Sequence, residues 1–213
     1  MPLHRPVAGL SATALLGLAV LLACSEAYAF EAVISVGLRA LYLQVGAGAF
    51  TSPYDSGGTP GDNAFTNTVR ATIAAGAVGT GPRTMSTDST VNNSPLDNAA
   101  RCNSSAGEVY VGGFYRTHGL LTGNTATLSV STPANLSGPG GATLPFSTIS
   151  WVSGGDNNGA SSIQSGTFGG TQTIASIPRN TWFENCLTFS YANNQMVPAG
   201  SYTGRATYQL YAP

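Results

Sequence analysis

The sequence predicts an all-β fold, a sandwich or barrel of about eight to ten short antiparallel strands, on three observations. Apolar residues recur at every second position in short runs, the period of a strand with one buried face. Clusters of Gly, Pro, Ser, Thr and Asn separate these runs and supply turn chemistry. Beyond residue 29 no apolar stripe follows a 3.6-residue period, so less than about a tenth of the mature chain is expected in helix, against an ordinary share of roughly a third.

The amino terminus carries a targeting segment. Met1 to Arg5 is short and basic, and Val7 to Ala23 is a run of apolar or small residues. Its length and its position after a charged start fit a signal peptide rather than a membrane anchor. Two processing sites fit. Ala27-Tyr28-Ala29 is a small-x-small cleavage site that would start the mature chain at Phe30. Leu21-Leu22-Ala23-Cys24 resembles a lipobox that would leave an acylated, lipid-anchored Cys24. Residues 1–29 are thus read as signal peptide and 30–213 as one domain, since no repeat or composition shift divides the remainder.

The strands follow in order. Ile34, Val36 and Leu38 share one face of a first alternating run, and beyond Ala40 the apolar set moves to Leu41, Leu43 and Val45. Such a change of phase marks a bulge or a junction between two strand segments. Val69, Ala71 and Ile73 alternate with Thr68, Arg70 and Thr72. Gly79 to Asn103 has little apolar content and reads as a long loop or weak edge strands. Glu108 to Arg116, Ala126 to Val130, Leu144 to Trp151, a short piece around Ile163, and Thr171 to Ile177 read as strands. Trp182 to Tyr191 places Phe183, Leu187, Phe189 and Tyr191 on one face and Cys186 on the other. Ser201 to Ala212 places Tyr202, Ala206, Tyr208 and Leu210 on one side.

Composition excludes several functions. Hydrophobic residues are 42% of the chain, charged residues 8%, and the net charge is −1. That leaves no basic surface for nucleic acid. All eight basic residues are Arg, so lysine Schiff-base chemistry and a Walker-type phosphate loop are ruled out. Past the signal peptide His118 is the one histidine, in Arg116-Thr117-His118-Gly119, where a surface loop explains it. Asp97, Glu108, Asp156 and Glu184 are the acids nearest apolar or aromatic segments. A glycosidase needs two carboxylates about 5 to 9 Å apart, and nothing in the sequence selects a pair. Gly155-Asp156-Asn157-Asn158-Gly159 offers oxygen ligands but lacks the spacing of a calcium loop, so it reads as a turn. The glycine pairs Gly57-Gly58 and Gly169-Gly170 have no phosphate-loop pattern around them. Asn92-Asn93-Ser94, Asn103-Ser104-Ser105 and Asn135-Leu136-Ser137 match the glycosylation sequon, as a Ser/Thr/Asn-rich chain does by composition. No cofactor, metal site or catalytic residue is expected.

Cys102 and Cys186 are the cysteines that remain after cleavage at Ala29. Export delivers them to an oxidising compartment, where they are expected to pair. The closed loop of over eighty residues stabilises by on the order of 4 kcal/mol.

The two ends of the chain carry the most information. Val197-Pro198-Ala199-Gly200-Ser201-Tyr202-Thr203-Gly204-Arg205-Ala206-Thr207-Tyr208-Gln209-Leu210-Tyr211-Ala212-Pro213 is a turn feeding an alternating final strand. This ending, with a signal peptide and an immediate alternating strand at the other terminus, resembles secreted pilin subunits of the archaic chaperone–usher type, the spore coat U-like proteins. The resemblance implies an antiparallel immunoglobulin-like β-sandwich and a non-enzymatic structural subunit of a fimbria or cell-surface layer. It implies a place in the periplasm, at the cell surface or outside the cell. It also implies that Ile34, Val36 and Leu38 are donated to a neighbour, with other copies or related subunits, a periplasmic chaperone and an outer-membrane usher as partners. The chain departs from that pattern in having no Cys between Leu41 and Tyr54 and in being longer. Two alternatives stay open. The first strand can complete its own sheet, and the protein can be a secreted monomeric adhesin or carbohydrate-binding module that stacks sugars on Trp151, Trp182 or Tyr115.

Overall fold

The computed structural model describes residues 40–51, 59–60, 66–117, 125–154 and 162–212. The signal peptide, the strand bearing Ile34, Val36 and Leu38, His118 and the Gly155–Gly159 turn lie outside the described residues. The described residues fall within one compact unit, Ser35–Pro213.

The strands are β1 (Ala40–Val45), β2 (Phe50–Thr51), β3 (Thr59–Pro60), β4 (Val69–Arg70), β5 (Arg83–Thr84), β6 (Ser86–Thr87), β7 (Glu108–Arg116) and β8 (Thr125–Ser131). They continue as β9 (Asn135–Ser137), β10 (Thr143–Pro145), β11 (Ile149–Gly154), β12 (Gly166–Thr167), β13 (Thr171–Pro178), β14 (Thr181–Tyr191) and β15 (Thr207–Tyr211). Among the described residues helix is confined to 3-10 turns of three residues each. None of the helices there is long and apolar enough to cross a membrane.

The larger sheet runs β1-β7-β14-β11-β12, with β5 pairing the far end of β14. The smaller sheet runs β13-β8-β15, and the ladders of both are antiparallel. Their facing sides share one core. The larger sheet gives Val109, Val111, Tyr115, Phe183, Leu187 and Phe189; the smaller gives Ala126, Leu128, Val130, Ile174 and Ile177. The fold is therefore an all-β sandwich, as alternation along β7, β8 and β14 requires: a period-2 apolar set must bury one sheet face against another.

Several elements are shorter than the sequence suggests. The Leu144–Trp151 run is broken into β10 and β11 by a 3-10 turn at Phe146–Thr148. Pro145 has no N–H to continue a ladder, and its fixed φ starts the turn instead. Ala71 and Ile73 pack on the core but leave the strand after Arg70. Ile163 is buried without belonging to a strand; its N–H donates to Asn185 Oδ1 at 3.2 Å. In the final run, Thr203 exchanges two backbone hydrogen bonds with Ser137, both 2.9 Å, before β15 begins at Thr207. Gly204 between them lets the backbone press on Leu136 and Phe146, whose side chains a Cβ there would meet at 2.6 and 2.8 Å.

Of the two apolar sets on either side of Ala40, the second alone falls on described residues, and Leu41 in it is exposed. Leu43 and Val45 pack on the sandwich core, whereas Tyr42 and Gln44 are buried on the opposite face of the sheet. That outer face is therefore covered over part of its area, and the residues that cover it build the site described next.

Candidate functional site

Two regions of the fold carry unusual chemistry: the edges of the two sheets where β1 and β15 meet, and the covered outer face of the larger sheet.

β1 is an edge of the larger sheet and β15 an edge of the smaller one; among the described residues β1 pairs with β7 and β15 with β8. The two edges adjoin, with Cα atoms within 8 Å, but form no ladder with each other. A strand edge can take up an extended chain through its backbone N–H and C=O groups. Along β15, Tyr208 and Leu210 face the core, whereas Thr207, Gln209 and Tyr211 are exposed. Burial pushes the Tyr208 hydroxyl above the usual tyrosine range. Tyr202 and Ala206 pack on the same core, as the alternating C-terminal pattern predicts.

The outer face of β7 and β14 is closed by the segment that joins β6 to β7. Cys102, on this strap, is bonded to Cys186 of β14 with a Cα–Cα distance of 5.5 Å, closing a loop of 84 residues. Two residues along β14, Glu184 is sealed from solvent. Its Oε1 accepts from the Ser94 hydroxyl, and from the Tyr110 hydroxyl at 2.8 Å. Its Oε2 accepts from Arg101 Nε at 3.1 Å. Arg101 also reaches Asp97 through Nη2 at 2.9 Å. Backbone bonds from Arg101 and Cys102 to the Asn92 carbonyl, at 2.8 and 2.9 Å, hold the strap's own shape. Burial, reinforced by the Glu184 charge, pushes the Tyr110 hydroxyl far above its usual range. The Asp97 carboxyl is held low, first by the Ala99 N–H and then by the Arg101 guanidinium.

Toward the other end of β14 the same face is aromatic. Tyr42, Phe50, Phe114 and Trp182 lie with ring centroids 4.8 to 6.0 Å apart. Arg116 sits over Phe114 at 5.6 Å. Tyr42 donates to Gln44 Oε1 at 2.5 Å, and burial lifts its pKa to about 12.

The sugar-stacking candidates fare differently. Tyr115 is fully buried in the core. Trp151 is 4% exposed and packs on Phe168 at 4.8 Å; its Nε1 donates to the Gln164 carbonyl at 2.8 Å. Neither can stack on a ligand, because the alternation that places them on β7 and β11 points them inward. Trp182 is half-buried in the aromatic cluster. Of the acids, Asp97 and Glu184 are brought together by Arg101, but the sealed Glu184 offers no oxygen to a substrate. Asp156 lies outside the described residues. Glu108 accepts the Asn103 N–H at 2.6 Å.

A Glu108 carboxylate oxygen and the two cysteine sulfurs lie within 4.8 Å of one another, yet both sulfurs are spent on the disulfide. Two depressions among the described residues hold about 140 and 210 Å³, below the usual size of a small-molecule site. One is lined by Trp151, Gln164 and Thr173, the other by Arg70, Ser86 and Asp88.

The sequence reading did not single out Arg101 or Ser94, or the use of Glu184 as an anchor. One signal was present: Glu184 shares the Cys186 face of β14, and a disulfide on that face means that something covers it.

In comparisons with known proteins, no family model, curated protein or solved structure matches the chain.

Proposed function

We propose that the chain is a non-enzymatic structural subunit of a secreted fimbria or cell-surface layer, exported by its N-terminal signal and joined to further copies or related subunits by donation of its N-terminal strand. The observation that carries this reading is the seam between β1 and β15, where the edges of the two sheets adjoin without pairing with each other. The segment with Ile34, Val36 and Leu38 immediately precedes β1 in the chain. An extended segment of this kind gains backbone hydrogen bonds and apolar burial by adding to such an edge. Three such side chains contribute roughly 1.5 to 3 kcal/mol each when fully buried. A disulfide suits a subunit that works in an oxidising compartment. The sandwich also buries two of the three aromatics through which a sugar-binding monomer would act.

The test is electrophoresis of unheated surface material from cells making the protein. Subunits joined by donated strands give an SDS-resistant ladder that collapses to one band on boiling. Material that runs as a monomer before heating, from cells that export the folded protein, overturns the proposal.

A further inference from the structure

We infer that Glu108 guards the Cys102–Cys186 disulfide against reduction by anionic thiols. The carboxylate of Glu108 lies within 4.8 Å of both sulfurs. It is held there because Asn103, next to Cys102, donates its backbone N–H to Oε2 at 2.6 Å. Glu108 is partly exposed at the start of β7, whereas Cys102 is 8% and Cys186 2% exposed. A partly exposed carboxylate thus lies beside a nearly closed sulfur pair. The other acid on this face, Glu184, has its charge matched by Arg101. Among the described residues no cation pairs with Glu108. Tyr110, packed against the two cysteines, is held in its neutral form.

Reduction proceeds by two exchanges. A thiolate RS⁻ attacks one Sγ, the S–S bond breaks, a mixed disulfide RS–Sγ forms, and the other cysteine leaves as a thiolate. A second RS⁻ then attacks the mixed disulfide, releasing the second cysteine thiolate and RSSR. Two thiols supply the two electrons. An attacker with additional negative charge is repelled by Glu108 before it reaches the sulfur. The leaving thiolates also form beside that carboxylate, which makes them poorer leaving groups for any attacker. Discrimination between anionic and cationic thiols is thus the mark of the guard; a general slowing is not.

The experiment uses the oxidised full-length exported protein and Glu108→Gln, which keeps an acceptor for the Asn103 N–H. Reduction by glutathione and by cysteamine is followed at matched thiolate concentrations by alkylation and intact mass. The urea midpoint and hydrogen exchange of the strap amides are recorded alongside. Wild-type protein is expected to favour cysteamine over glutathione. Glu108→Gln is expected to raise the glutathione rate about three- to tenfold and to shrink that preference, with strap exchange unchanged. Unchanged rates overturn the inference. So does an equal rise with both thiols, and so does a rise accompanied by faster strap exchange, which would make Glu108 a fastener of the strap.

Discussion

Arg101 Nε lies 3.1 Å from Glu184 Oε2, and the two ends of this pair sit in different surroundings: the Glu184 side chain is fully sealed, whereas the Arg101 side chain keeps 21% of its surface in solvent and shares its charge with Asp97. The pair is therefore asymmetric. Removing the cation leaves a sealed carboxylate that still accepts from the Ser94 and Tyr110 hydroxyls; removing the anion leaves a cation that still has water and a second acid.

Arg101→Met is accordingly expected to cost more stability than Glu184→Gln, roughly 3 kcal/mol against about 1 to 2, because an uncompensated buried charge is the larger penalty. Urea unfolding of both variants, with m-values checked, measures the difference. Equal or reversed costs would show that the carboxylate is satisfied without Arg101.

Replacing both cysteines by serine is expected to lower stability by about 4 kcal/mol, since the bond closes a loop of 84 residues in the unfolded chain. The strap should loosen first, with amide exchange rising at Arg101 and Cys102 before that of β7 and β14. Native-state hydrogen exchange reads this order.

Alkaline pH should unfold the protein. Tyr42, Tyr110 and Tyr208 all titrate higher in the folded chain than the ordinary value of 10.0, Tyr42 at about 12. The folded state thus binds more protons than the unfolded state above pH 10. The stability these groups contribute is fully present below that pH and is lost as pH rises toward 12 and beyond. Absorbance at the tyrosinate band should lag the model-compound titration and then rise together with loss of the β-sheet signal in circular dichroism. Early, independent ionisation of all the tyrosines contradicts this.

Gly113→Ala tests the packing of the central strand. A Cβ at Gly113 would collide with the Tyr42 carbonyl and press on Leu43 Cα at 3.1 Å, both backbone atoms of β1. Because β1 cannot yield without losing its ladder to β7, the added methyl is expected to cost about 1 to 3 kcal/mol. A thermal midpoint equal to wild type would mean that β1 is free to shift.

Val36→Asp tests the proposed assembly. A carboxylate in the middle of the Ile34, Val36, Leu38 face loses apolar burial and adds a desolvation cost. If the strand acts in a neighbour, the ladder disappears while a soluble, chaperone-dependent subunit persists. If it completes its own sheet, the monomer unfolds instead. Folded, assembled protein at wild-type level excludes both roles for this strand.

The sequence by itself determined the strands that matter most and which of their faces point inward. Val109 and Val111 on β7, Leu128 and Val130 on β8, and Phe183, Leu187 and Phe189 on β14 are legible because the pleat imposes a period of two, a local property of the backbone. The Cys102–Cys186 bond was legible because the proposed export leaves each cysteine one partner. Tertiary structure alone decided the rest. Local sequence does not tell whether the outer side of β7 and β14 meets water, yet Tyr110 and Glu184 are buried there. What buries them is a strap from Ser94 to Asn103, some 80 to 90 residues away from β14 along the chain. The sequence period reports only that two faces differ. Whether the polar one meets water or an arginine depends on distant parts of the chain, and so does the seam where β1 and β15 adjoin.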